Sequence, residues 1–306
     1  MEVTGKIPGL AELPEKKKPA PIRDNFTHET AFGCPRDFLD NRFVYVVVSS
    51  RARGLSIGVN LNPDKQCNFD CVYCEVNRNT PPREPRLDVA VMTAELKKTL
   101  AFVRAGRLRE RPWYRGMPDD LLQLRHVALS GDGEPTLAPN FAEAFQAVVH
   151  VRALAGTSFF KLVLITNATG LDQPHVQQGL KHFTTLDEIW SKLDGGTQAY
   201  LNRVNQPDVS LEKILANILA VARQHPVVIQ SLFPAINGEE PPPDEIDQYA
   251  GRLLELKQAG AQISLVQIYS ATRPAMRLEC GHLPLKCLSR IAHIVRQVTG
   301  LPAEVF

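Results

Sequence analysis

Three of the six cysteines of the chain lie within eight positions of one another, at Cys67, Cys71 and Cys74. Their spacing is C-x3-C-x2-C, and no fourth cysteine follows nearby. Clustered thiolates are metal ligands, and closed sites built from thiolates alone usually take four of them. Three thiolates that hold a [4Fe–4S] cluster would leave one iron open to a substrate or cofactor. The spacing therefore favours metal chemistry and leaves the metal itself open.

Two other interpretations fit the same spacing. A structural zinc site could be completed by a distant histidine or by Cys34, Cys280 or Cys287, although the chain has no second C-x2-C pair. Three unrelated core cysteines are the other alternative, which the tight clustering in a polar loop disfavours. Cys280 and Cys287 could also help Cys34 to bind an auxiliary cluster, or remain half-buried reduced thiols.

The bulk composition is typical of a soluble globular protein. The chain has 306 residues, of which 44% are hydrophobic and 22% charged, so it can bury a sizeable core. A net charge of +2 gives no reason to expect a nucleic-acid partner. No apolar run is long enough for a membrane span, and residues 1–26 lack the apolar core of a signal peptide. We therefore expect a cytoplasmic protein that has no membrane partner and whose thiols stay reduced.

Beyond an N-terminal arm, the chain alternates β-rich segments with amphipathic helices. Residues 1–40 are rich in proline, lysine and polar groups, which predicts a loosely docked arm. Residues 41–306 contain six strand segments, at 54–61, 126–130, 161–166, 187–193, 227–233 and 262–269. Helices are predicted between and after them, at 87–106, from 140 onward, and at 174–182, 210–223, 244–259 and 285–298. Six such units predict parallel strands, in either an open doubly wound sheet or a full or partial barrel.

The cysteine loop follows the first of these strands, at the edge where parallel α/β folds build their active sites. With Tyr73 before its last cysteine, it resembles the signature of the radical S-adenosylmethionine (radical SAM) superfamily. SGDGEPTL (130–137) resembles the Gly-Glu-Pro segment of that family, and LITNATGL (164–171) resembles its Thr-Asn segment. WSKLDGGT (190–197) and IYSATRPA (268–275) resemble elements of the branch that contains the wyosine-base synthases and related bacterial Fe–S oxidoreductases.

The resemblance implies an α/β fold, the partial (β/α)6 TIM barrel. It also implies two cofactors, a [4Fe–4S] cluster and S-adenosyl-L-methionine (SAM). Cys67, Cys71 and Cys74 would bind the cluster. Reductive cleavage of SAM would give methionine and a 5′-deoxyadenosyl radical, which abstracts a hydrogen from an unidentified substrate. An electron donor such as flavodoxin or ferredoxin would be a partner.

The resemblance also assigns contacts to SAM. Tyr73 would place its backbone near the adenine, and Gly133, Glu134 and Pro135 would receive the methionyl ammonium group. Three polar residues at or near the ends of the third, fourth and fifth strands are expected at the ribose and carboxylate, although each could simply cap its strand: Asn167, Ser191 and Gln230. Lys192, in an apolar strand next to Asp194, is a candidate catalytic residue that could pair with a carboxylate, contact the cofactor or meet the substrate.

The substrate class stays open between a small molecule, a peptide and tRNA. Residues 104–125 form an insertion with six arginines, Trp113 and Tyr114, a composition that can follow a phosphate backbone, although acidic residues dilute its charge. The alternatives are a wyosine-like tRNA-modifying enzyme, a metal-stabilised RNA-binding protein without radical chemistry, and an enzyme that uses SAM without hydrogen abstraction. Archaeal and eukaryotic wyosine synthases carry a second cluster upstream, and only Cys34 precedes the motif here.

Overall fold

The computed structural model describes residues 38–154 and 160–306, so Cys34 and most of the predicted N-terminal arm lie outside the described residues. The strands of the described residues are β1 (Val44–Ser49), β2 (Gly54–Asn60), β3 (Leu124–Ser130), β4 (Lys161–Thr166), β5 (Glu188–Lys192), β6 (Val227–Leu232), β7 (Ala235–Ile236), β8 (Ile263–Tyr269), β9 (Cys280–Gly281) and β10 (Ala303–Val305). The helices are α1 (Val89–Arg104), α2 (Asp119–Leu122), α3 (Phe141–Leu154), α4 (Pro174–Leu180), α5 (Gln198–Val204), α6 (Leu211–Ala222), α7 (Pro243–Gln258) and α8 (Leu285–Thr299).

One open sheet of eight strands organises the fold, in the order β1-β2-β3-β4-β5-β6-β8-β10. The six strands from β2 to β8 in this order run parallel to one another, and β10 is parallel to β8. Among the eight strands that the structure describes in this sheet, β1 alone is antiparallel, as the partner of β2 at one edge, and β7 and β9 form a separate antiparallel pair. The six parallel strands and their crossover helices form the partial barrel that the sequence predicts.

The crossover helices begin and end where local chemistry favours it. The Asp88 carboxylate accepts a hydrogen bond from the Val91 amide at 3.0 Å and so caps α1. Ser210 caps α6 in the same way through the Lys213 amide, at 3.2 Å. Gly106 lies just beyond α1 with a φ of 69°, a left-handed conformation that glycine adopts without strain. None of the helices that the structure describes is long and apolar enough to cross a membrane.

Residues alternate between the two faces of each strand, and this alternation decides which side chains point into the barrel. Apolar residues on the outer face join the helices in the main core. A second, smaller apolar cluster combines Ala128, Val163, Trp190 and Val228 from four consecutive strands. We call this cluster the apolar plug. Lys192 lies two residues after Trp190 on the same face of β5, so it lies beyond the apolar plug, toward the C-terminal edge of the barrel.

Candidate functional site

The three predicted metal ligands lie in the loop after β2 as free, partly buried thiols: Cys67, Cys71 and Cys74. Neighbouring segments hold this loop through its backbone. The amides of Asp70 and Val72 donate to carbonyl groups at the end of α5, at 2.9 and 2.8 Å. The Cys74 carbonyl accepts from the Met276 amide at 3.0 Å. The loop therefore rests against α5 and the segment after β8.

Each of the three sulfur atoms accepts a hydrogen bond from a different donor: the Phe69 amide, the Asn205 side chain and the Arg78 guanidinium, at 3.5, 3.3 and 3.6 Å. Burial raises the pKa of Cys67 to about 11 and that of Cys71 to about 12. As free thiols they therefore keep their protons at neutral pH, and metal binding would release them. Donors of this kind stabilise thiolates and tune iron–sulfur clusters.

The GDGEP turn after β3 packs directly on the cysteine loop. The Glu134 amide donates to the carbonyl oxygen of Gln66 at 2.9 Å. A Cβ atom at Gly133 would lie 1.7 Å from that same oxygen, so only glycine allows this approach. Asn60, the last residue of β2, fixes the other end of the turn, because its side chain both donates to the Asp132 carboxylate and accepts from the Asp132 amide, at 2.7 and 2.9 Å.

The Glu134 carboxylate is buried and anchors the turn to β4. One oxygen accepts from the amide and hydroxyl of Thr136 and from the hydroxyl of Thr166, and the other accepts from the Asn167 amide at 2.7 Å. Burial raises the pKa of Glu134, and these donors oppose that rise. Both oxygens of the Glu134 carboxylate thus already accept hydrogen bonds from the protein. Contact between an ammonium group and the backbone of Gly133, Glu134 and Pro135 stays a prediction.

Asn167 connects β4 to the cysteine loop. Its side-chain amide donates to the Asn68 oxygen at 2.8 Å, and the Asn68 amide donates to Asp208 at 2.9 Å. Asn68 is the residue after Cys67. Asn167 therefore helps to position the loop, and a contact between Asn167 and the cofactor stays a prediction.

Lys192 is an ion-pair partner within the barrel. Its ammonium nitrogen lies 3.2 Å from the Asp194 carboxylate and 3.1 Å from the Tyr269 hydroxyl. It also lies 5.0 and 5.3 Å from the ring centroids of Tyr73 and Tyr269. Burial alone would lower the pKa of Lys192, but Asp194 and Tyr269 outweigh it and raise that pKa. The structure contains the pairing of Lys192 with a carboxylate, and its contact with the cofactor or the substrate stays a prediction.

Asp194 joins Lys192 to the cysteine loop. Besides the ammonium group, its buried carboxylate accepts from the Leu232 amide at 2.8 Å, from the Asn205 side chain at 2.8 Å and from the Tyr73 hydroxyl. The same Asn205 amide group contacts the sulfur of Cys71. Sequence analysis missed Asn205, because it is a single asparagine that follows α5, a helix that was not predicted, and it belongs to no motif.

The two remaining predicted residues have different positions. Gln230 is buried on the face of Val228 inside the barrel, is the register partner of Lys192 and donates to the Gln267 side chain at 2.8 Å. Ser191 lies between Trp190 and Lys192 and therefore faces the helix layer on the opposite side of β5. Its hydroxyl is buried and finds no hydrogen-bond partner among the described residues. Contact of Ser191 with the cofactor stays a prediction, although strand alternation places its side chain on the opposite face of β5 from Lys192.

Two of the six arginines of the basic insertion pair with a nearby carboxylate. Arg107 pairs with Glu110 at 2.9 Å, and Arg109 pairs with Asp119. Trp113 is 52% exposed. These pairs neutralise part of the charge of the insertion, and its role stays a prediction.

The cysteines outside the loop lie on separate elements. The Cys287 thiol, in α8, donates to the Glu240 carboxylate at 2.7 Å, and Cys280 lies in β9. Cys34 is outside the described residues, so an auxiliary cluster that includes it stays an open prediction.

No family model matches the chain. A UPF0026 protein of Synechocystis sp. is 32% identical over 179 residues, which are 57% of this chain and 57% of that protein. The chain thus spans just over half the length of this relative. A UPF0026 protein of Helicobacter pylori is 28% identical over 246 residues, covering 80% of this chain and 72% of that protein.

Three solved structures of radical SAM proteins resemble this fold. A radical SAM methyltransferase from Sphaerobacter thermophilus matches with a TM-score of 0.57 and 15% identity, over 86% of this chain and 68% of that one. TYW1 with a lysine–pyruvate adduct bound matches at 0.53 and 14%, over 84% of each chain. Streptococcus suis SuiB bound to S-adenosylmethionine matches at 0.54 and 13%, over 80% and 49%. At these identities the likeness concerns the fold, and the prediction of the radical SAM partial barrel is confirmed.

Proposed function

We propose that this chain, which has the radical SAM fold, is an enzyme that uses a [4Fe–4S] cluster to cleave SAM reductively and abstract a hydrogen from its substrate. The cysteine loop carries the proposal. Its three thiols lie at the C-terminal edge of six parallel strands, and each sulfur accepts one hydrogen bond from the protein. The cofactor pair, when bound, would supply a reductively generated 5′-deoxyadenosyl radical.

The described residues fit this cofactor pair. Within residues 38–154 and 160–306, no three His, Cys, Asp or Glu side chains converge closely enough to hold a single metal ion. An iron–sulfur cluster instead distributes its thiolates over several irons, which suits Cys67, Cys71 and Cys74. Gly133 brings the GDGEP turn against the cysteine loop, where a backbone without side chains can approach a ligand.

The protein's own contribution would be to hold this edge of the barrel rigid. The Glu134 carboxylate fixes the GDGEP turn to β4, and Asn167 fixes the cysteine loop through Asn68. Asp194 holds the Tyr73 hydroxyl and the Lys192 ammonium group. Such positioned side chains keep a site in its productive geometry without rearrangement during the reaction.

The substrate would enter beyond the apolar plug formed by Ala128, Val163, Trp190 and Val228. This plug fills the interior on the N-terminal side of Lys192, so reactants would meet at the side of the cysteine loop. Among the structural neighbours, one structure of SuiB contains its precursor peptide, SuiA. An electron donor such as flavodoxin or ferredoxin would supply the reducing equivalent.

The experiment is anaerobic reconstitution with iron and sulfide, followed by reduction in the presence of SAM. We expect about four irons and four labile sulfides per chain, and formation of 5′-deoxyadenosine. Cys71→Ala should lose both, whereas Cys280→Ala, which removes a thiol outside the loop, should retain them. A Cys71→Ala variant that makes as much 5′-deoxyadenosine as the wild type, or a wild type that binds one zinc without sulfide, would contradict the proposal. Cleavage of SAM to other products would point to group transfer without hydrogen abstraction.

A further inference from the structure

Arg51 is a cation in the turn between β1 and β2 that contacts an aromatic ring of the barrel. Its guanidinium carbon lies 4.2 Å from the centroid of the Tyr269 ring. Its Nε is buried, and among the described residues this atom has no hydrogen-bond partner. The same residues also place no carboxylate within ion-pair distance of Arg51. A partly buried guanidinium without an anion is unfavourable unless a ligand supplies that anion.

The surroundings of Tyr269 are positively charged. Its ring contacts Arg51, and its hydroxyl accepts from the Lys192 ammonium group at 3.1 Å. The nearby carboxylate is Asp194, which already accepts from Lys192, the Leu232 amide, Asn205 and the Tyr73 hydroxyl. Asp194 therefore has little capacity left for a second cation.

The turn that carries Arg51 is fixed beside the opposite edge of the open sheet. Arg53, two residues later, pairs with Glu304 of β10 at 2.5 Å. Since β1 and β10 are the two edge strands, this pair spans the open side of the partial barrel. Arg51 thus reaches Tyr269 from the turn that precedes the first of the six parallel strands.

We propose that Arg51 is a binding site for the carboxylate, or an equivalent oxyanion, of a second molecule beside SAM. A guanidinium presents a planar fork of donors that binds an oxyanion through two parallel hydrogen bonds, and stacking on Tyr269 holds that plane in place. Given the function proposed above, the second molecule is the substrate, which would therefore be an anion. The Lys192 ammonium group and the Tyr269 hydroxyl add positive potential on the same side.

The test compares the cluster-loaded wild type with Arg51→Met and with the control Arg290→Met, which removes an exposed arginine of α8 that pairs with Glu240. Methionine keeps a side chain that packs on the Tyr269 ring and removes the charge. The probes are sodium acetate and inorganic phosphate, with sodium chloride at equal ionic strength as the reference. The rise of the thermal unfolding midpoint with probe concentration gives an apparent Kd. We expect Arg51→Met to weaken binding by about tenfold and Arg290→Met to change it by less than about twofold.

The affinity for SAM, measured by equilibrium dialysis on the same preparations, identifies the source of the carboxylate. We expect it to be equal in the wild type and in Arg51→Met. If it falls about tenfold, the site holds the carboxylate of SAM and the second molecule is excluded. The proposal is also overturned if Arg51→Met binds the probes like the wild type, or if Arg290→Met loses binding equally.

Two further readouts keep these conclusions separate from folding and from radical chemistry. Arg51→Lys retains the charge without the planar fork, and we expect it to bind the probes more weakly than the wild type and more tightly than Arg51→Met. If Arg51→Met does not fold, Arg51→Lys decides alone, and wild-type binding by that variant overturns the proposal. Formation of 5′-deoxyadenosine is measured in parallel. Its absence with intact probe binding refutes the proposed function and leaves the anion site standing.

Discussion

The side-chain amide of Asn205 donates to the sulfur of Cys71 at 3.3 Å, and the same group donates to the Asp194 carboxylate at 2.8 Å. Asp194 is also the ion-pair partner of Lys192, at 3.2 Å. Asn205 is buried, so solvent does not screen these contacts. The side chains of Asp194 and Asn205 therefore connect the charge of Lys192, inside the barrel, to the sulfur of Cys71.

Replacing Asn205 should change the redox properties of a cluster bound at Cys71. We expect Asn205→Ala to lower the midpoint potential of the reconstituted cluster, because a hydrogen bond to a ligating sulfur stabilises the reduced, more negative state. A redox titration followed by electron paramagnetic resonance measures this potential. Asn202→Ala removes an exposed amide that bonds to Gln198 on the surface of α5, and it is the matched control. Equal potentials in the two variants would refute the role of Asn205.

The core of the fold follows from sequence pattern, whereas the edges do not. The six parallel strands are apolar segments between clear helices, and the structure has all six. β1 was not predicted because its pairing depends on the turn at residues 50–53. There Arg53 adopts a φ of 55°, a left-handed conformation that is uncommon for arginine and that the sequence therefore does not predict. β10 has only three residues, and its place beside β8 depends on α8 packing across the sheet.

Sequence analysis predicted the parts of the site that lie at strand ends. It did not predict the single asparagine side chains that connect those parts. Parallel strands bring their C-terminal ends to one edge, which is why the cysteine loop, the GDGEP turn and Asn167 lie together. Asn205 and Asn68 act through tertiary contacts that no local pattern encodes. Ser191 and Lys192 lie on opposite faces of β5, because neighbouring residues of a strand alternate, so a motif that contains both does not tell which of them faces the barrel interior.

The ion pair between Lys192 and Asp194 should show strong thermodynamic coupling. Either Lys192→Met or Asp194→Asn leaves one buried partner without its counter-ion, and we expect each to lower the free energy of unfolding by about 3 kcal/mol or more. The double variant removes both charges, so it should cost less than the sum of the single variants by about 1–3 kcal/mol. Chemical denaturation of the four proteins measures this difference. Additive costs would mean that the two charges do not stabilise each other.

The contact between Gly133 and Gln66 should not tolerate a methyl group. The added Cβ would lie 1.7 Å from the Gln66 carbonyl oxygen, so one of two backbone segments must move. We expect Gly133→Ala to lower the free energy of unfolding by about 3 kcal/mol and to reduce the iron bound on reconstitution. Gly116→Ala is the control, since a Cβ there meets nothing within 4 Å. If both variants bind iron and unfold like the wild type, the close approach of the turn to the cysteine loop is not required.

His126 should make the stability of the protein fall at mildly acidic pH. Its ring is buried against Trp190, with centroids 5.2 Å apart. Burial, with smaller contributions from Lys161 and Arg51, lowers the pKa of His126 to about 3. The unfolded chain binds a proton at this histidine near its ordinary pKa of about 6.5, and the native state does not. The resulting stability is fully present above that pH and is lost progressively as the pH falls toward 3.

The size of this loss is measurable with one variant. His126→Phe keeps an aromatic ring against Trp190 and removes the titrating group. Between about pH 6.5 and pH 5, the wild type should lose about 2 kcal/mol more of its free energy of unfolding than His126→Phe does, because one proton contributes about 1.4 kcal/mol per pH unit. Urea denaturation at the two pH values measures the difference. Parallel pH dependence in both proteins would mean that His126 is protonated in the native state or accessible to solvent.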